Sequence, residues 1–410
     1  MSSLDGLRAV TRPLSDVVGP GDVPDLNDIA AGDGMLFVRD RVGLAGRGVA
    51  ARIDADTAAA ELAELPHDSP IAGARPIALG SIPFEPGAPA ALIVPRVAVV
   101  KRAETSWVTA IVGPEADADE LMVEALRSTP EPTPAARSWS TRPLVDVEQY
   151  LEAVRAARDA VRAGSLTKAV IARPIEIAAD GPIDVHAILR RLKATFGSSY
   201  RSSIDGMVGA SPELLVEVEG SVVRSHPLAG TTRRTGDPDN DARLAAELQA
   251  SEKNQIEHRV VIDEVHDRLL PWASYLDWEA EPSVVQVANV QHLGTRMEGM
   301  LSTPTPSSVE LVRALSPTPA LGGHPRDDAL ALIRSVEGFE RGRYGGAVGW
   351  VDASGDGTWA VAIRCAEFAD DRRSARLVAG GGIVAESEPL AELAETQAKF
   401  QAMLGAILRP

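Results

Sequence analysis

Lys168 stands in LTKAVIAR, a run otherwise built mainly of Leu, Ala, Val and Ile. A lysine on such a strand ordinarily faces solvent. Held in a partly desolvated place, it becomes an amine with a lowered pKa that can serve as a general base. Glu213 follows Ser211-Pro212, and a proline has no N–H to give a ladder, so Glu213 sits where a strand begins. It is either an edge carboxylate or an acid held at a sheet end facing a cavity. Two helical segments carry further carboxylates: SEKNQIEH with Glu252 and Glu257, and AELAETQAKF with Glu392, Glu395 and Lys399. Residues 392, 395 and 399 are spaced three and four apart and share one helix face. That face is a solvated ion-pair surface or, turned inward, a set of hard oxygen ligands suited to Mg²⁺. Gly380, Gly381 and Gly382 follow a predicted strand ending at Val378 and read as a tight turn or as a loop whose N–H groups approach an anion. Arg364 lies inside the apolar run VAIRCAEF, where burial requires an anion from the protein or from a ligand. P-loop, dinucleotide, HExxH and nucleophile-elbow motifs are absent from the sequence.

The elements that must position these residues come from a chain of 410 residues, 45% hydrophobic and 24% charged. That length and apolar content suit one large α/β domain or two ordinary ones. Aromatics are only 4%, so the core must be aliphatic. A net charge of −17 disfavours nucleic acid and anionic membranes as partners. The single cysteine, Cys365, excludes a disulfide framework and a cysteine-rich metal site. The first residues lack an apolar signal core, and the most apolar run, Ala88 to Val100, is broken by Pro95-Arg96 and too short to span a bilayer. The expectation is a soluble cytoplasmic protein.

Strands are predicted at 35–38, 43–53, 77–82, 90–100 and 106–112, with helices at 57–65 and 117–127. A proline-rich loop follows at Ser128–Pro134. Beyond it, Val147, Tyr150, Leu151, Val154, Ala157 and Val161 recur at helical spacing, with Gly164 as the stop. A strand is predicted over 166–177, a helix through 188–196, and a hairpin turning at Glu219-Gly220-Ser221. One long helix is expected over about 241–270, then strands at 344–352, 359–367 and 375–378 and a closing helix over 389–408. Strands and helices mix without a regular βαβ beat, which means α+β or complex α/β.

In this order the segments resemble the chorismate-utilising enzymes, and among them the isochorismate synthases. LTKAVIAR, VGASPELLVEVEG, HPLAGTTRRTGD, LQASEKNQIEHRVVIDEV, VQHLGTRMEG, LSPTPALGGHP, RYGGAVGW, WAVAIRCAEF and LVAGGGIVAESEPLAELAETQAKF carry the resemblance over most of residues 144–406. A fainter match, PIALGSIPFEPGAPAALIVP, extends it towards the N-terminus. The resemblance implies the anthranilate synthase component I-like fold, a single large domain of two sheet-based halves with outer helices. Residues 1–143 would form the N-terminal part of that fold and 144–410 the chorismate-binding catalytic region.

The resemblance also implies roles. Lys168 would activate water and Glu213 would protonate the departing 4-hydroxyl. Glu257 and Glu395, with Glu392 nearby, would hold Mg²⁺. Arg364 and Tyr344 would hold the enolpyruvyl carboxylate, while Gly230, Thr231, His292, Lys399 and the Gly380–Gly382 loop would make other substrate contacts. Asn254 departs from relatives that carry an acid there, which bears on the outer metal shell. The implied reaction is the isomerisation of chorismate to isochorismate by a monomer. Lys168 argues against the ammonia-using relatives; salicylate synthases, which also eliminate pyruvate, share that lysine but usually have threonine and different neighbours near Pro319-Ala320-Leu321, where PTPALGG looks like the isochorismate type. A binding protein without activity on the same fold is the reading from another class.

Overall fold

The computed structural model describes residues 3–19, 24–127, 136–287 and 290–409, so the proline-rich Ser128–Pro134 segment lies outside the described residues. The early strands form as predicted: Met35–Arg39, Val42–Asp54, Ile77–Ile82, Ala91–Lys101 and Ser106–Val112. Among the described residues, hydrogen bonding joins twenty strands into one network and three into a second sheet. The fold is mixed α/β, with helices packed on the outside of the strands.

Three segments differ from the expectations in ways that shape the site. The strand expected to end at Val378 runs on as Ser374–Ile383, so Gly380–Gly382 are strand residues and not a loop. They pair antiparallel with Lys168–Ala179, from Ser374 opposite Ala178 to Ile383 opposite Ala169. The long helix expected over 241–270 is two helices, Pro238–Ala250 and Glu252–Leu269. Ser251 ends the first in extended backbone, and its side chain caps the second by accepting the Asn254 N–H at 3.3 Å. The strand expected over 359–367 breaks into Gly357–Val361 and Cys365–Phe368, with Arg364 between them at φ 52°.

Elements that the sequence reading passed over complete the frame. Leu228–Arg233, Ser283–Gln286 and Val290–Gly294 make the three-stranded sheet. Helices Ser308–Leu315 and Arg326–Val336 flank the Gly322-Gly323 segment. Helix Val147–Arg162 forms where its periodicity placed it, burying Tyr150, Leu151, Val154 and Ala157 behind an Asp146 cap, and Gly164 follows at φ 77°. The closing helix Pro389–Leu408 buries Phe400, Met403, Leu404 and Ile407. Each such side chain contributes about 1.5–3 kcal/mol on burial, which fixes the helix, and its carboxylates, against the Ser374–Ile383 strand.

Candidate active site

One cavity gathers most of the residues singled out by chemistry. Lys168, Glu213, Glu257, Arg364, Glu395 and Lys399 line it, together with Gly230, Thr231, His292, Tyr344, Gly380 and Gly382. Gly381 and Glu392 do not line it. A larger cavity around Phe37, Tyr200 and Trp350 contains none of these residues.

Lys168 is the first residue of its strand and only 3% exposed, so the solvent-facing reading fails. Its Nζ donates to Glu257 Oε1 at 2.7 Å. The glycine opposite explains the room: a Cβ on Gly382 would stand 2.6 Å from Lys168 Cε and 3.0 Å from Glu257 Oε1. On Gly381 a Cβ would meet Glu392 Oε2 at 2.8 Å. These glycines serve close approach of side chains, not a turn.

Glu213 precedes the Leu214–Glu219 strand, its carbonyl accepting the Val361 N–H at 3.1 Å. The side chain is 3% exposed and its Oε1 accepts only a long bond, 3.4 Å, from the Leu228 N–H. Burial pushes its pKa up to about 8, against weaker opposing pulls from that N–H, Lys168 and Arg364. The carboxyl is therefore protonated at neutral pH and able to donate a proton.

Arg364 is buried, and its Nη1 has no hydrogen-bond partner among the described residues. Burial lowers its pKa, with Tyr344, Glu395 and Glu213 opposing the change from a distance. Its left-handed backbone is costly for a residue with a Cβ, about 1–3 kcal/mol, and is held by the Ala210 N–H donating to the Arg364 carbonyl at 3.1 Å. A strained, buried guanidinium with a free N–H aimed at a cavity is a receptor for a carboxylate.

The neighbours are tuned to match. His292 Nδ1 bonds Thr231 Oγ1 at 3.0 Å, leaving Nε2 without a partner among the described residues. Burial, with help from Arg364 and Lys399, pushes the ring's pKa down to about 3, so the imidazole is neutral. Burial pushes the Tyr344 hydroxyl up to about 12, so it too stays neutral. Lys399 Nζ donates to Glu395 Oε1 at 2.7 Å and to the Gly380 carbonyl at 2.7 Å. That ammonium holds Glu395 below the usual carboxylate range, whereas burial and then the charge of Glu395 raise Glu392. The two carboxyls on one helix face are thus shifted in opposite directions.

Among the described residues no three His, Cys, Asp or Glu side chains converge into a preformed metal cage. Glu257 and Glu395 nevertheless face one cavity from two helices, each held by a lysine. Mg²⁺ ordinarily takes one or two protein carboxylates and completes its shell with water and substrate oxygens, so this donor set fits it. Asn254 packs over Gly230, where a Cβ would lie 3.2 Å from its Oδ1, and its Nδ2 donates to Ser251 Oγ at 2.8 Å. It braces the helix start.

The sequence reading missed one organising pair. Arg341 and Glu337 form a fully buried ion pair, Nε to Oε2 at 2.9 Å. Arg341 also donates to the carbonyls of Leu321 and Val170, each at 2.7 Å, and Glu337 accepts the Ala172 N–H at 2.7 Å. Val170 and Leu321 both line the cavity. The only signal was a spacing of four residues, which elsewhere marks an exposed helix pair.

Comparisons with known proteins identify the family. Residues 57–408 match the family described as chorismate binding enzyme. MenF of Mycobacterium tuberculosis is 40% identical over 348 residues, 82% of this chain and 87% of the relative. Isochorismate synthase DhbC of Bacillus subtilis is 37% identical over 345 residues, 81% of each chain. The crystal structure of DhbC from Bacillus anthracis superposes with a TM-score of 0.77 at 33% identity, covering 93% of this chain and 98% of that one. The chain belongs to the chorismate binding enzyme family.

Proposed function

We propose that this protein is an isochorismate synthase, moving a hydroxyl from C4 to C2 of chorismate, and that Lys168 and Glu213 are its base and acid. Chorismate is a dianion, and a chain of net charge −17 must concentrate positive charge locally to hold it. Arg364 and Lys399 supply that charge inside the cavity. Water is a poor nucleophile, so Lys168 takes a proton from the water that bonds to C2. The two ring double bonds shift, the C4–O bond breaks, and Glu213 donates the proton that lets hydroxide leave as water. Glu257 and Glu395 would hold Mg²⁺, which when bound supplies further positive charge to a substrate carboxylate. Neutral His292 and Tyr344 offer hydrogen bonds without adding charge.

The single observation that carries this reading is a buried carboxyl, Glu213, in the same cavity as the buried Lys168. Reaction in ¹⁸O-water tests it. The C2 hydroxyl of isochorismate should carry one ¹⁸O atom from solvent. Product without solvent oxygen would mean that the original hydroxyl migrates and that no water is activated.

A further inference from the structure

Among the described residues, two buried arginines have an N–H with no partner: Arg364 in the active cavity and Arg201 outside it. Arg201 lies in the Tyr200–Ile204 strand and is 1% exposed. Its Nη1 donates to Asn27 Oδ1 at 2.8 Å, while its Nε has no partner. Asp25 and Asp40 act on it only from a distance. A guanidinium taken out of water without a paired anion is costly, and nothing in the proposed reaction uses this one.

Arg201 lines a cavity of about 280 Å³ with Arg41, Lys101, Lys193, Asp25 and Asn27. Among the described residues, four cations there face one carboxylate, in a chain whose overall charge is −17. The carboxylate is already engaged, since Asp25 accepts from the Asn27 N–H at 2.9 Å and pairs with Lys193. Lys101 donates to the Pro24 carbonyl, which satisfies one of its three N–H groups and none of its charge. Burial disfavours the charged forms of both Arg201 and Lys101, a cost that a bound anion would offset.

We propose that this cavity is a second anion site, which takes a small oxyanion group, carboxylate or phosphate, between Arg201, Lys101 and Arg41. Arg201 pairs in register with Ala210, in the strand that leads into Ser211-Pro212-Glu213. The site therefore sits one strand from the segment that carries the proposed acid, outside the active cavity.

Because the active cavity also receives oxyanions, the test is made on the full-length Arg364→Ala protein. Thermal unfolding is followed while inorganic phosphate or acetate replaces chloride at constant ionic strength, the two probes separating a tetrahedral from a planar ligand. A saturable rise in Tm is expected with at least one probe. The apparent Kd should weaken about tenfold or more when Lys101→Met or the exposed Arg41→Ala is added. Arg41→Ala in the otherwise unchanged protein should leave chorismate turnover as it was. Loss of the rise on Arg364→Ala alone, or indifference of the apparent Kd to both further substitutions, would overturn the proposal.

Discussion

Gly382 and Lys168 share one space: a Cβ on the glycine would stand 2.6 Å from the lysine Cε. The strand pairing that brings them together also presents Lys168 Nζ to Glu257 Oε1 at 2.7 Å. Gly382→Ala should therefore displace the lysine while the sheet survives, because the neighbouring backbone is in ordinary extended conformation. A shift of this size at a reacting group costs about 10²-fold in kcat. Steady-state kinetics and circular dichroism on the variant check it, and an unchanged kcat would show that the lysine needs no fixed position.

Glu213 sets the pH dependence. Burial raises its pKa from 4.5 to about 8, so kcat should fall as pH rises through about 8 and the acid loses its proton. Glu213→Gln should lower kcat by about 10²–10⁴-fold and abolish that limb.

Stability follows the same group with a definite sign. The folded chain binds this proton more tightly than the unfolded chain, so its contribution is fully present below about 4.5 and lost as pH rises through about 8. Relative to the parent protein, Glu213→Gln should thus gain stability steadily between those limits. Urea unfolding at several pH values reads this directly, and a difference that does not change with pH would contradict the buried, protonated state.

Arg364 separates affinity from fold. Arg364→Gly removes the carboxylate receptor and relieves the φ of 52°. KM for chorismate should rise roughly tenfold to a hundredfold, the equivalent of one charge-assisted contact, while Tm holds or increases. A lower Tm with an unchanged KM would mean that the arginine is structural.

The Arg341–Glu337 pair should behave oppositely. Removing one partner leaves a buried charge, so Arg341→Met should cost about 3–5 kcal/mol in urea unfolding. The double variant Arg341→Met, Glu337→Leu should recover part of that loss. Equal stability of the single variant and the parent would show that the pair does not brace the cavity wall.

Much of the site was legible because charge inside an apolar run demands an explanation, and Lys168 and Arg364 announced themselves that way. Glu213 was marked by the proline before it. The glycines were misread, since a run of three signals a turn locally, whereas here Lys168, Glu257 and Glu392 fill the space of absent side chains from other elements. The break at Ser251 was visible in principle, because serine opening SEKN is a capping signal, but apolar periodicity ran through it. Arg341 and Glu337 could not be placed at all: a pair four residues apart reads as exposed, and only tertiary packing decides that it is fully buried.

Product analysis tests the central claim most directly. Purified protein is incubated with chorismate and Mg²⁺, with and without EDTA, beside the Lys168→Ala variant, and the products are separated by chromatography. The account predicts isochorismate without pyruvate, suppression by EDTA, and a rate about 10²–10⁴-fold lower in the folded variant. Salicylate with pyruvate, no turnover by the parent protein, or equal turnover by Lys168→Ala would contradict it.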